Sequence, residues 1–285
     1  MNNTKTVLLL GALTGLFLVI GGYAGGRSGM LIAFIFAAVM NVGAYWFSDK
    51  MVLRAYRAKE LSETDAPKIH SAVSRMSEKA GIPKPKLYYI DQESPNAFAT
   101  GRNPEHAAIV VSRGIMKLMD NRELEGVLGH ELTHIIHRDT LISTVAATIS
   151  GAIMFLAYQM RWFAFFGGSD DDDNGGALGL IVMAILAPLA ATIIQMAISR
   201  AREYKADSGG AYLSENPDGL ASGLKKLGEF SKRIPMKATK QTAHMFIVNP
   251  FSGKSLFKLF STHPPIEERI DRLREMSRGS ITPTL

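Results

Sequence analysis

The sequence predicts a membrane protein, mainly α-helical, in which four transmembrane helices carry an α+β head on one side of a bilayer. Three observations carry this expectation, and the first is where charge is missing. Of 285 residues, 58 are Lys, Arg, Asp or Glu, yet none falls within 6–26, 28–48, 140–160 or 174–199. An α-helix rises about 1.5 Å per residue, so a run of this length spans roughly 31 Å, close to the hydrocarbon thickness of a bilayer. The second observation is the asymmetry of basic residues at the ends of these runs. Lys5, Lys50, Arg54, Arg57, Lys59, Arg138, Arg200, Arg202 and Lys205 collect on one side, with only Arg27 and Arg161 on the other. Lys and Arg accumulate on the cytoplasmic side, so both termini and segments 49–139 and 200–285 are expected in the cytoplasm. The third is that these two segments are polar and mix helical with strand-like patterns. The net charge of +6 and the pI near 9.4 are then accounted for by topology and contact with the lipid bilayer, and no nucleic-acid partner is expected. The absence of cysteine excludes a disulfide-stapled domain and a thiolate metal site.

Segment 1–48 holds the first two transmembrane helices, separated by Arg27 among Gly and Ser, with Tyr45 and Trp46 as anchors at the far interface. Run one alone could be a cleavable signal peptide; the second span directly behind it favours an anchor. In segment 49–139, Ala66-Pro67 opens a helix that Gly81 closes, 86–91 and 107–112 read as strands, and 96–101 reads as a short extended piece. Asp120 and Glu123 form a capping box opening a helix with an apolar stripe at Leu124, Val127, Leu128 and Leu132. Segment 140–199 holds helices three and four around an external loop of Asp170, Asp171, Asp172 and Asp173, and Pro188 is tolerable inside a membrane helix. Segment 200–285 continues the fourth helix, starts another at Asn216-Pro217, passes an irregular stretch at 234–262, and ends in a helix after Pro264-Pro265. That last helix is expected to turn Ile266, Ile270 and Leu273 inward and Glu267, Glu268, Arg269 and Arg272 outward.

Residues 130–134 read His-Glu-Leu-Thr-His. On a helix His130 and His134 are i and i+4, so both imidazoles leave one face and suit two nitrogen ligands on a single Zn²⁺. Glu131 points beside the metal, placed to take a proton from water that the metal has made acidic. With 7 His and 14 Glu in the chain, random placement yields this pattern about 0.008 times per sequence, which sets the chance level for the motif.

A catalytic zinc takes a third protein ligand and keeps one open position. His137 shares the face, but seven residues from His130 is about 10.5 Å of rise, too far for one ion. Topology offers another. His134 lies six residues before run three and Arg200 directly follows run four, so both return to the same membrane face. There Glu203 can complete a His-His-Glu set, and Asp207, its i+4 neighbour, can accept the second ring N–H of a ligating histidine. The alternative is an exposed charged face shared with Arg200 and Arg202. His263, followed by two prolines at a helix start, could donate to the oxyanion of a tetrahedral intermediate or could cap that helix; both readings stand.

HELTH at 130–134, SRAREYKAD at 199–207, NAFATG at 96–101 and STHPPIEERI at 261–270 together resemble the HtpX-type membrane zinc metalloproteases, relatives of the CAAX prenyl endoproteases. The resemblance covers essentially the whole chain. It implies one Zn²⁺ per chain held by His130, His134 and Glu203, with Glu131 as the base, in a cytoplasmic α+β zincin-like (gluzincin) metalloprotease domain. It implies a multi-pass protein of the bacterial inner membrane in proteolytic quality control, acting on misfolded or damaged membrane proteins or unfolded polypeptides. It also implies that the strand around Asn96, Ala97, Phe98 and Ala99 pairs with the substrate backbone. Two rivals remain. A metal or proton transporter would need ionisable residues within the spans, and the runs contain no Asp, Glu, Lys or Arg. A zinc-binding scaffold without catalysis would have no use for Glu131.

Overall fold

A computed structural model describes residues 2–143, 145, 200–233 and 264–285. Most of the third run, the fourth run with Pro188, the Asp170–Asp173 loop, the irregular stretch 234–262 and His263 lie outside the described residues.

The chain opens with α1 (Asn2–Ala55), two helices joined where Gly25 and Gly26 leave helical geometry, Gly26 at φ 56. They fold back on each other. A Cβ at Gly21 would collide with the Gly29 backbone, so only glycine lets the two rods touch there. Farther along, the Phe17 and Phe36 rings meet edge to face at 5.2 Å, and the Asn41 amide donates to Thr14 Oγ1 at 2.9 Å. Among the described residues one helix, Gly25–Phe47, is long and apolar enough to cross a membrane, and a shorter apolar helix covers Thr6–Val19. The hairpin expected around Arg27 is therefore present.

The head is built on a four-stranded sheet of β1 (Lys59–Glu60), β2 (Lys86–Ile90), β3 (Ala97–Gly101) and β4 (Ala107–Ser112), in the order β1-β2-β4-β3. The central strands β2 and β4 run parallel and both outer pairings are antiparallel. β4 is buried at every position, which explains its unbroken apolar run Ala-Ala-Ile-Val-Val before Ser112. Its alternate residues serve two cores. Ile109 and Val111 face the main core, whereas Val110 joins Val52 of α1, Ile90 and Phe98 on the opposite face. The last turns of α1 are thus packed onto the sheet.

Three helices cover the main-core face: α2 (Pro67–Ala80), α3 (Arg113–Leu118) and α4 (Asn121–Ile136). The capping box is present: Asp120 accepts from the Arg122 and Glu123 amides, and Glu123 accepts from the Asp120 amide. Glu123 does more than cap. It also accepts from Ser222 Oγ and Lys226 Nζ, each at 2.7 Å, tying α4 to α6 (Pro217–Arg233). Against α4 also lies α5 (Arg200–Ser214), and α7 (Ile266–Ser277) packs over α5 and α6. A Cβ at Gly210 of α5 would stand 2.8 Å from the His130 amide nitrogen. This backbone-to-backbone approach brings the acidic residues of α5 up to the histidines of α4.

One expectation fails. Arg269 is not an outward residue of the last helix but as buried as Leu273, both at 0% exposure. It sits at i+3 from Ile266, within the inward stripe, and its charge is met by two carboxylates rather than by water.

Candidate metal centre and active site

The capping box fixes where α4 begins, and the helix then delivers His130 and His134 one turn apart on the face turned to α5. His130 Nε2 and His134 Nε2 stand 3.2 Å from each other. Glu203 of α5 reaches both, with Oε1 at 3.6 Å from His134 Nε2 and Oε2 at 3.8 Å from His130 Nε2. Among the described residues these three form the group able to hold a metal ion.

The geometry fits a tetrahedral cation. Ligand atoms at about 2.0–2.1 Å from such an ion stand roughly 3.3–3.4 Å apart, close to the separations here. The second nitrogens reinforce it. His130 Nδ1 lies 3.0 Å from Asp207 Oδ1, and His134 Nδ1 lies 3.0 Å from Asp139 Oδ2. Each Nδ1–H donates to its carboxylate, a tautomer assigned from the hydrogen-bond network, which turns both Nε2 lone pairs toward the same point. Two lone pairs facing across 3.2 Å repel unless a proton or a cation lies between them.

Arg269 supports this arrangement from α7. Its Nε and Nη2 donate to the two Asp207 oxygens at 2.8 and 2.7 Å, and its Nη1 lies 3.6 Å from Glu203 Oε2. Arg202 Nε lies 3.6 Å from Asp139 Oδ1. Each histidine is thus backed by a carboxylate, and each carboxylate by a guanidinium.

The electrostatics follow from this burial. Desolvation pulls the His130 imidazole below its usual range despite Asp207. It pushes Glu131 up to about 7, only partly relieved by the charge of His134. Desolvation would lower His134 too, but the Asp139 hydrogen bond and the charges of Glu203 and Glu131 outweigh it, raising this imidazole to about 9 in the absence of a cation. A proton at His134 would therefore compete with a metal ion held by this group. After chelation, the apparent affinity for a divalent metal ion should rise about tenfold per pH unit between roughly pH 7 and 9, with a proton released on binding. Calorimetric titration in buffers of different ionisation enthalpy checks this, and a flat profile would contradict it.

Glu131 is 4% exposed and accepts a hydrogen bond from the Ala99 backbone N–H. That contact reveals the orientation of β3, which forms one edge of the sheet. The Ser112 amide donates to Asn96 O, so in an antiparallel pair Phe98 and Thr100 also face β4, and Ala97, Ala99 and Gly101 face the open edge. Asn96, Ala97 and Phe98 are buried and Ala99 is half-buried. His137 caps the end of α4, outside the ligand group.

Sequence reasoning missed Asp139, Arg202 and Arg269 as parts of this centre. Arg269 had a usable signal, its place on the inward stripe of α7; Asp139, beyond the end of α4, had none.

Residues 63–277 match peptidase family M48. The chain is 53% identical over 279 residues to a protein named "Protease HtpX homolog" from Desulforapulum autotrophicum, covering 97% of this chain and 90% of that one. It is 56% identical over 275 residues to a protein of the same name from Desulfatibacillum aliphaticivorans, covering 95% and 89%. With the one from Syntrophobacter fumaroxidans the identity is 56% over 277 residues, covering 95% and 98%. The fold is similar to that of Ste24p from S. mikatae, with a TM-score of 0.53 at 17% identity; the match covers 94% of this chain and 64% of that one. With its His-Glu-x-x-His helix and a carboxylate that can complete a three-residue metal group, the chain belongs to peptidase family M48 and is a metalloendopeptidase.

Proposed function

We propose that the metal is one Zn²⁺ per chain, held by His130, His134 and Glu203, and that Glu131 is the catalytic base. The observation that carries this reading is the meeting of His130 Nε2, His134 Nε2 and a Glu203 oxygen within 4.8 Å of one another. A zinc ion held there would supply Lewis acidity for a peptide carbonyl and for water, making that water acidic enough to lose a proton near neutral pH. Glu131 takes that proton and returns it to the leaving amine. Asp207 and Asp139 hold the two imidazoles in one tautomer, and Arg269 holds Asp207. The open edge of β3, from Asn96 through Ala97, Phe98 and Ala99, pairs with an extended substrate and leads its backbone past Glu131. His263 either steadies the oxyanion or caps α7.

The chain spans the bacterial inner membrane four times, with the head and both termini in the cytoplasm, and serves quality control of misfolded or damaged membrane proteins. The charge-free runs, the Lys/Arg asymmetry and the apolar helix Gly25–Phe47 support this topology. Glu203→Ala tests the metal assignment. It should lower bound zinc from one per chain to below about a tenth while α4 and its histidines remain, because two neutral imidazoles alone hold the ion weakly. Undiminished zinc in the purified variant would remove Glu203 from the ligand set.

A further inference from the structure

The edge strand β3 is tied at both of its ends to elements that mark the membrane surface. α1 leaves its apolar window at Phe47 and continues as one helix to Ala55. Just beyond, the Tyr56 ring meets Phe98 of β3 with centroids 5.0 Å apart. Four residues on, just past the end of the strand, the Arg102 guanidinium lies 4.6 Å over the Trp46 ring, and its Nη1 is 3.5 Å from the Trp46 carbonyl oxygen. Tyr56 and Trp46 are separated by about 15 Å of helical rise, and Phe98 and Arg102 by about 13 Å of strand. The lengths agree, so β3 runs back along α1 toward Trp46.

A second contact, at the open edge of β3, sets the same level. Thr140, the first residue of the third charge-free run, donates from Oγ1 to the Gly101 carbonyl at 2.9 Å. Gly101 and Arg102 thus lie beside Trp46 of one apolar segment and the mouth of another, and Trp rings settle at headgroup depth. Ala99, whose amide meets Glu131, is three residues from Arg102, about 10 Å up the strand.

Resting on the reading of β3 as the substrate's pairing edge, we propose that the substrate stands upright on this strand. It passes Arg102 and the Gly101 carbonyl that Thr140 occupies, pairs with the strand from Ala99 onward, and is cut three to five residues beyond the point where it leaves the headgroup layer. The substrate class is therefore the juxtamembrane segment of a membrane-anchored polypeptide. Arg102, held over Trp46, is a positioning residue that fixes this distance.

The test uses the full chain in liposomes with a single-span substrate. Behind the span comes a uniform linker of about 20 residues, built from a repeat that the wild type cleaves as a free peptide, and the cut bonds are mapped by mass spectrometry. Cuts should cluster three to five residues from the end of the span, and inserting further repeats should leave the cluster where it is relative to the span. In Arg102→Ala the cluster should broaden or move outward by two or more residues, and Arg102→Lys, which keeps a cation over the ring, should restore most of it. Cuts that depend on Glu131 but spread along the linker, or cluster beyond ten residues, would overturn the inference alone, as would an unmoved cluster in Arg102→Ala. Cleavage no different from that of Glu131→Gln would sink the active-site reading and the inference with it.

Discussion

Glu131→Gln should retain one metal ion per chain and lose about 10²–10⁴ in cleavage rate, the range that a positioned general base contributes. The two side chains are nearly the same size, so the packing of α4 is kept. The Ala99 amide can still donate to the Gln carbonyl oxygen, and none of the three candidate ligands is touched. What disappears is the capacity to take a proton. Burial has set Glu131 at about 7 without a cation, so near neutral pH it lies between proton donor and acceptor, the condition a group needs to accept a proton and pass it on. Metal analysis and peptide cleavage on the same preparation check the prediction. A variant retaining more than a tenth of the rate would remove Glu131 from the chemistry, and one that had lost its metal would make the loss of activity uninformative about the base.

Arg269→Ala should destabilise the head by about 3–5 kcal/mol, the cost of breaking a buried charged pair by deleting one partner. Domains are stable by only about 5–15 kcal/mol, so this is a large fraction of the total. Both Asp207 oxygens bond to Arg269, and one Glu203 oxygen lies within 3.6 Å of it. Alanine leaves two buried carboxylates without that counter-charge. Arg269→Lys keeps the charge but cannot grip both oxygens, and should fall between wild type and alanine.

The effect also has a sign with pH. Burial alone would raise the Asp207 carboxyl, but Arg269 outweighs it and holds the group below its ordinary value. A carboxyl depressed by folding stabilises above its unfolded value, so the contribution is complete at neutral pH. It fades as pH falls below about 4 toward the folded value, and the gap between wild type and Arg269→Ala should narrow there. Unfolding of the detergent-solubilised chain at several pH values reads this out. A gap under about 1 kcal/mol at pH 7 would mean that water reaches the pair and that Arg269 is no part of the scaffold.

Much of the site was legible because its information is local. Two histidines four residues apart share a helix face whatever else the chain does, and Asp120 with Glu123 marks where that helix begins. Run lengths without charge are a local property as well, and they led to Glu203 by requiring the chain to come back to the face it left.

Arg269 shows where such reasoning stops. Its spacing from Ile266, Ile270 and Leu273 places it on the inward stripe of α7, but a lone arginine is costly to bury, and periodicity alone cannot say whether partners await it. They come from α5, more than sixty residues earlier in the chain. The edge of β3 beside Glu131 has the same character, coming from more than thirty residues away. Asp139, by contrast, is near His134 in sequence but is brought to it only by the turn that ends α4.

The sequence by itself therefore determined that two histidines and a glutamate share one stretch of helix, and where the charge-free runs lie, because each is a matter of local spacing. Only the tertiary structure decided which charges are buried and which strand edge faces Glu131. A buried ion is tolerated only where distant residues neutralise it, and that compensation is a property of packing rather than of any single segment.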